Sequence, residues 1–127
     1  LHRDGAKGYQ DSRYVSVLND IAPESLDFVL VDGNARDYCA LGSLEKVKPG
    51  GLLIIDNVER YIPRKIKSTS PCARAMEDGS ATEVWQQVAE CLQKWRCYWT
   101  SNGVTDTACW FKPVYDYSKC SASDRDC

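Results

Sequence analysis

The sequence predicts an α/β fold organised around a parallel pair of strands, and three observations carry that expectation. Two apolar runs, Phe28-Val-Leu-Val31 and Leu52-Leu-Ile-Ile55, do not alternate with polar residues. Runs of this length and composition are the pattern of strands covered on both faces of a parallel sheet. Each run ends in an acid, Asp32 and Asp56. Between them, Tyr38, Leu41, Leu44 and Val47 recur at helical spacing within residues 34–48. The unit therefore reads strand, helix, strand. A right-handed crossover sets its strands parallel and, if adjacent, about 4.8 Å apart. Both acids then lie at the carboxyl edge, where open α/β sheets bind ligands.

The remaining elements follow in order. Residues 1–12 are polar and contain Gly5 and Gly8 without a clear element. Tyr14, Val15, Leu18 and Ile21 predict a helix that Pro23 stops. The first strand falls at 27–32. After Asn57 the chain turns irregular and basic, with Arg60, Arg64, Lys65, Lys67 and Arg74 and no acid from Arg60 until Glu77. A long loop is expected there. Such loops often cover substrates at a carboxyl edge, and this charge suits an anionic one; a solvated connector is the plainer alternative. Ser80-Ala-Thr-Glu83 has the form of a capping box. It opens a helix whose stripe is Val84, Trp85, Val88, Cys91, Leu92 and Trp95. Two strand-like segments, 96–101 and 107–112, join through Asn102-Gly103, a hairpin signal. The organisation expected is a poorly structured segment 1–12, one domain over 13–113 and a disordered tail 114–127.

Composition narrows the function classes. A net charge of −2 and a pI near 5.4 give no general attraction to nucleic acid or an anionic membrane. No apolar stretch approaches the roughly 20 residues needed to cross a bilayer. The seven cysteines, at 39, 72, 91, 97, 109, 120 and 127, cannot all pair internally and show no Cys-x-x-Cys spacing. Cys39, Cys91 and Cys109 lie in expected elements, where free cysteine behaves as a small apolar residue. A reduced, cytoplasmic setting is expected, with Cys120 and Cys127 open to oxidation in the polar tail.

Val31-Asp-Gly33, a helix, and Val47-Lys-Pro-Gly-Gly-Leu-Leu-Ile-Ile-Asp-Asn57 together resemble the fourth and fifth strands of class I S-adenosyl-L-methionine-dependent methyltransferases. The Lys-Pro-Gly-Gly turn entering a Leu/Ile strand is the most specific part. The later helix and closing hairpin are similar to the C-terminal half of that fold, so the resemblance covers roughly Tyr14 to Pro113. It implies a partial Rossmann-like sheet with helices on both faces and methyl transfer to a small-molecule acceptor. It also implies a cofactor contact at Asp32 and Gly33, and a catalytic role for Asp32.

Asp32, Asp56 and Asn57 further resemble the ligands of the metal-dependent O-methyltransferases, which implies a hard cation such as Mg2+. There the cation draws a substrate hydroxyl towards deprotonation. This chain departs from that pattern. The family usually places a lysine three residues after the first acid, and here Ala35 is followed by Arg36, which stays protonated and is a poor base. Read without the resemblance, Asp32 orients ligand or loop backbone, Asn34 caps the helix, and Asp56-Asn57 satisfies loop amides.

The family's glycine-rich cofactor loop has no counterpart. Gly5 and Gly8, in Asp4-Gly-Ala-Lys-Gly-Tyr9, follow no apolar strand and lack the motif's spacing. With Leu1 at the start, this suggests a fragment of a longer protein that alone does not hold the cofactor. The alternative is a non-catalytic remnant or interaction module. In either case Phe28 to Val31 forms a sheet edge without protective Lys, Pro or bulge, and self-association through it is expected.

Overall fold

The computed structural model describes residues 13–114 except 34 and 67. The expectations for 1–12, for the Asn34 cap and for the tail beyond Val114 lie outside the described residues. The chain forms α1 (Arg13–Ser16), β1 (Leu26–Val31), α2 (Arg36–Ser43), β2 (Val47–Asp56), α3 (Glu83–Leu92), β3 (Arg96–Ser101) and β4 (Asp106–Phe111). Short 3-10 turns occur at Val17–Asp20, Val58–Arg60 and Met76–Asp78. The sheet order is β1-β2-β4-β3. β1 and β2 are parallel, as expected of the crossover, and β4 runs antiparallel to both β2 and β3. The fold is therefore α/β on a mixed sheet.

Register explains which residues make the core. Val29, Leu53, Trp110 and Cys97 form one row across the strands, and Val31, Ile55, Ala108 and Trp99 form the next. Leu53, Ile55 and Ala108 are fully buried in these rows. α2 adds Ala40 to this core, and α3 adds Trp85, Val88 and Leu92. Burying each Leu or Ile side chain stabilises the fold by about 1.5–3 kcal/mol. α3 carries the expected stripe with one correction: Cys91 is exposed, because it falls off the arc from Trp85 through Val88 to Leu92.

The opposite face differs from expectation. Phe28, Leu52 and Phe111 form one row there, and Leu30, Ile54, Cys109 and Tyr98 another. Phe28, Leu30 and Tyr98 are 61%, 55% and 64% exposed. Helices were expected on both faces. Among the described residues, α2 and α3 pack against each other on one face and leave this apolar one uncovered. β1 is also an edge, with β2 its sole described strand partner.

Local boundaries follow side-chain chemistry. Between the pairs Leu26↔Val47 and Phe28↔Leu52, β1 advances two residues and β2 five, so Lys48-Pro-Gly-Gly51 loops outward. Gly51 is required there, since an added Cβ would meet the Asp27 carbonyl at 2.6 Å and the Lys48 carbonyl at 2.9 Å. The N-cap of α3 is Thr82 rather than Ser80. Its hydroxyl accepts from the Trp85 N–H at 3.1 Å and donates to Asp37 Oδ2 at 3.1 Å, tying α3 to α2. The hairpin loop spans residues 102–105, with Asn102 Oδ1 accepting from the Val104 and Thr105 N–H groups. The first helix is a single turn continuing as 3-10.

Candidate functional site

The ends of β1 and β2 bring Asp32, Gly33, Asp56 and Asn57 around one side chain, Arg36. Its Nη2 donates to Asp32 Oδ1 at 2.9 Å, and its Nε donates to the Gly33 carbonyl at 3.1 Å. Nη1 donates to the Asp56 carbonyl at 2.7 Å and to Asn57 Oδ1 at 3.4 Å. The guanidinium lies over the Tyr61 ring at 5.7 Å, and Tyr61 stacks on Trp85 at 4.8 Å. The planar fork suits this task, because one rigid group reaches four acceptors from fixed directions. Asp56 is held from its own side as well: Oδ1 accepts from the Asn57 N–H at 3.0 Å and from Thr107 Oγ1 at 2.8 Å.

Backbone conformation places these groups. Ala35 and Asn57 both adopt the left-handed region, at φ 54° and 55°. Asn tolerates that region, whereas Ala incurs roughly 1–2 kcal/mol. Each turns the chain sharply just beyond its strand, which sets Arg36 between the two strand ends. Gly33, at φ 132°, has nothing within 4 Å of the position a Cβ would take. The Asp32 side chain is 50% exposed, against 17% for Arg36.

The expected metal ligands do not fit a resident divalent cation in this arrangement. Arg36 already bonds to Asp32, the Asp56 carbonyl and Asn57. A divalent ion within about 4 Å of the guanidinium would face repulsion of about 8 kcal/mol at an effective dielectric of 20. Among the described residues, no three His, Cys, Asp or Glu side chains converge as a metal site.

A second polar cluster was not anticipated from the sequence. Glu59 is 1% exposed, with Oε1 accepting from the Asp106 N–H at 3.0 Å and Oε2 lying 2.9 Å from Ser70 Oγ. Asp106 Oδ2 accepts from Trp99 Nε1 at 2.8 Å. Burial alone would raise the Asp106 pKa. Hydrogen bonding from Ser101, Ser68 and Trp99, with the Arg64 charge, outweighs burial and holds the carboxyl below its ordinary range. The only local sign of this cluster was an acid directly after Val58. Its effect is to pin the long loop to the sheet. Arg74 braces the loop internally, its Nε donating to the Gly79 carbonyl at 2.7 Å. Burial, and then Asp37, pushes the Cys39 thiol up, and burial does the same at Cys109. Cys39 packs against the core, and Cys109 lies in the Leu30–Tyr98 row of the opposite face.

Compared with models of known protein families and with curated proteins, the chain matches none. No helix among the described residues is long and apolar enough to cross a membrane.

Proposed function

We propose that this chain is the C-terminal half of a Rossmann-like, S-adenosylmethionine-dependent methyltransferase domain acting on a small-molecule acceptor. The observation that carries this reading is the Asp32-Gly33 turn. It ends a parallel strand, opens onto free space at Gly33, and adjoins an edge and an apolar face that are both uncovered among the described residues. A further strand and its helices would cover that edge and face, and would place the other wall of a ligand cleft beside the turn.

Within such a cleft the chain's own residues have distinct roles. Gly33 lets a ligand approach the backbone closely. Asp32 uses Oδ1 for Arg36, while Oδ2 has no partner among the described residues. In this reading that oxygen accepts a hydrogen bond from an acceptor hydroxyl and takes its proton, a role typically worth roughly 10²–10⁴-fold in rate. Arg36 holds the acid in place through a fork anchored on β2. When bound, the cofactor supplies a methyl group activated on a sulfonium. No metal enters this reading, because Arg36 stands where one would bind.

Arg36 also favours a second reading. An acid cluster already engaged by an arginine suits a non-catalytic scaffold that keeps the sheet. Methyl transfer by the full-length polypeptide, with and without Asp32→Ala, separates the two. The enzyme reading expects a loss of about 10²-fold or more in turnover with the fold retained, and activity indifferent to EDTA. Absence of transfer in both proteins, or equal transfer in both, overturns it.

A further inference from the structure

A cavity of about 460 Å³ lies on the helix-covered side of the sheet, beneath residues 62–66. It shares no lining residue with the Asp32–Arg36–Asp56 cluster. Leu92, Cys97 and Trp110 form its apolar floor, and Ile62 closes one wall. Its size falls in the range of about 300–1,000 Å³ in which proteins hold small ligands. Ile66 and Met76, also lining residues, are 75% and 55% exposed, so apolar surface borders the cavity without cover.

The charged lining is wholly cationic, with Arg64 and Lys65 and no acid. Arg64 differs from the other engaged arginines. Arg36 and Arg74 direct their N–H groups at oxygens of the chain. The Arg64 guanidinium instead lies over the Trp99 ring at 4.8 Å and makes no hydrogen bond to a described residue. Asp106 senses its charge; Oδ2 of that carboxylate accepts from Trp99, and neither oxygen is hydrogen-bonded to Arg64. A stacked guanidinium with unused donors is preorganised for a carboxylate, which it can bind in bidentate fashion.

We infer that this cavity binds a small anionic amphiphile, its apolar body over Leu92 and Trp110 and its carboxylate on Arg64. The site is independent of the methyl-transfer reading. The test uses dodecanoate and its neutral analogue dodecanol, each titrated below its aggregation threshold into the full chain and followed by tryptophan fluorescence. Saturable dodecanoate binding is expected, weakened about tenfold or more by Arg64→Gln and weakened less by Arg64→Lys. Dodecanol binding should not change with Arg64→Gln. Ala89→Phe, which fills the cavity from α3, should remove both, while Leu30→Ser on the open sheet face should leave both intact. Dodecanoate binding that survives Arg64→Gln unchanged overturns the proposal. So does binding lost on Leu30→Ser, which would place the ligand on the open face.

Discussion

Removing Arg36 tests the candidate site at its hub. In Arg36→Ala the Asp56 carbonyl loses a 2.7 Å charge-assisted bond and Asp32 loses its ion pair. Hydrogen bonds to charged groups contribute about 1.5–3 kcal/mol each, but Asp32 is half exposed, so its pair is worth about 1 kcal/mol at most. Contact with the Tyr61 ring adds roughly 0.5–1 kcal/mol. A net loss of about 2–5 kcal/mol is expected, read from urea unfolding monitored by tryptophan fluorescence. The same substitution leaves Asp32, the Asp56 carbonyl and Asn57 Oδ1 without a cation. Mn2+ or Mg2+ should then stabilise the variant, by about 2.7 kcal/mol at roughly 100 times its dissociation constant. The unsubstituted chain should not respond. Equal stabilisation of both proteins by the metal would show that Arg36 does not occupy the cation position.

Two further outcomes follow from the sheet and the second cluster. Leu30 lies on β1, which is an edge strand among the described residues, and is exposed on the apolar face that no described helix covers. The 127-residue chain should therefore self-associate at micromolar concentration in sedimentation velocity, and Leu30→Lys should shift it towards monomer; a monomeric unsubstituted chain would refute this. Asp106 has its folded-state pKa held below the ordinary value of 3.8. Its contribution is thus complete above the unfolded-state pKa and is lost as pH falls through the folded-state value. Thermal unfolding followed from about pH 6 to about pH 2 should show a shallower acid decline in Asp106→Asn than in the unsubstituted chain. Identical slopes would show that Asp106 is not the group responsible.

The strand–helix–strand unit was legible because an unbroken apolar run leaves a composition signal within a few residues. Phe28 to Val31 and Leu52 to Ile55 carry that signal, and the parallel pairing follows from it. The Lys48-Pro-Gly-Gly51 segment reads as a turn entering the strand; in the structure it belongs to β2, and the close approach that requires Gly51 was not legible. What sequence reasoning missed depends on contacts far apart in the chain. Arg36 was read as a departure from a lysine pattern. Its role depends on Asp56 and Asn57, about twenty residues away, and no local window joins them. Glu59 likewise meets Asp106 from 47 residues away. At α3, Ser80 and Thr82 both offered a hydroxyl, and the choice fell to Thr82, whose hydroxyl also meets Asp37. The expectation that both sheet faces are buried beneath helices did not hold, since Phe28, Leu30 and Tyr98 are exposed. Helices cover one of them among the described residues.

Cofactor binding at the Asp32-Gly33 turn is the claim on which the functional reading stands. Titration calorimetry with S-adenosylmethionine addresses it directly, using this chain, the full-length polypeptide, and its Gly33→Val variant. Gly33 sits at φ 132°, a conformation that valine resists, beside open space that a side chain would fill. If the turn lines half of the cofactor cleft, the chain alone gives no saturable heat. The full-length polypeptide then binds with micromolar affinity, and Gly33→Val removes that binding. Saturable binding to the isolated chain, or full-length binding unaltered by Gly33→Val, would contradict it.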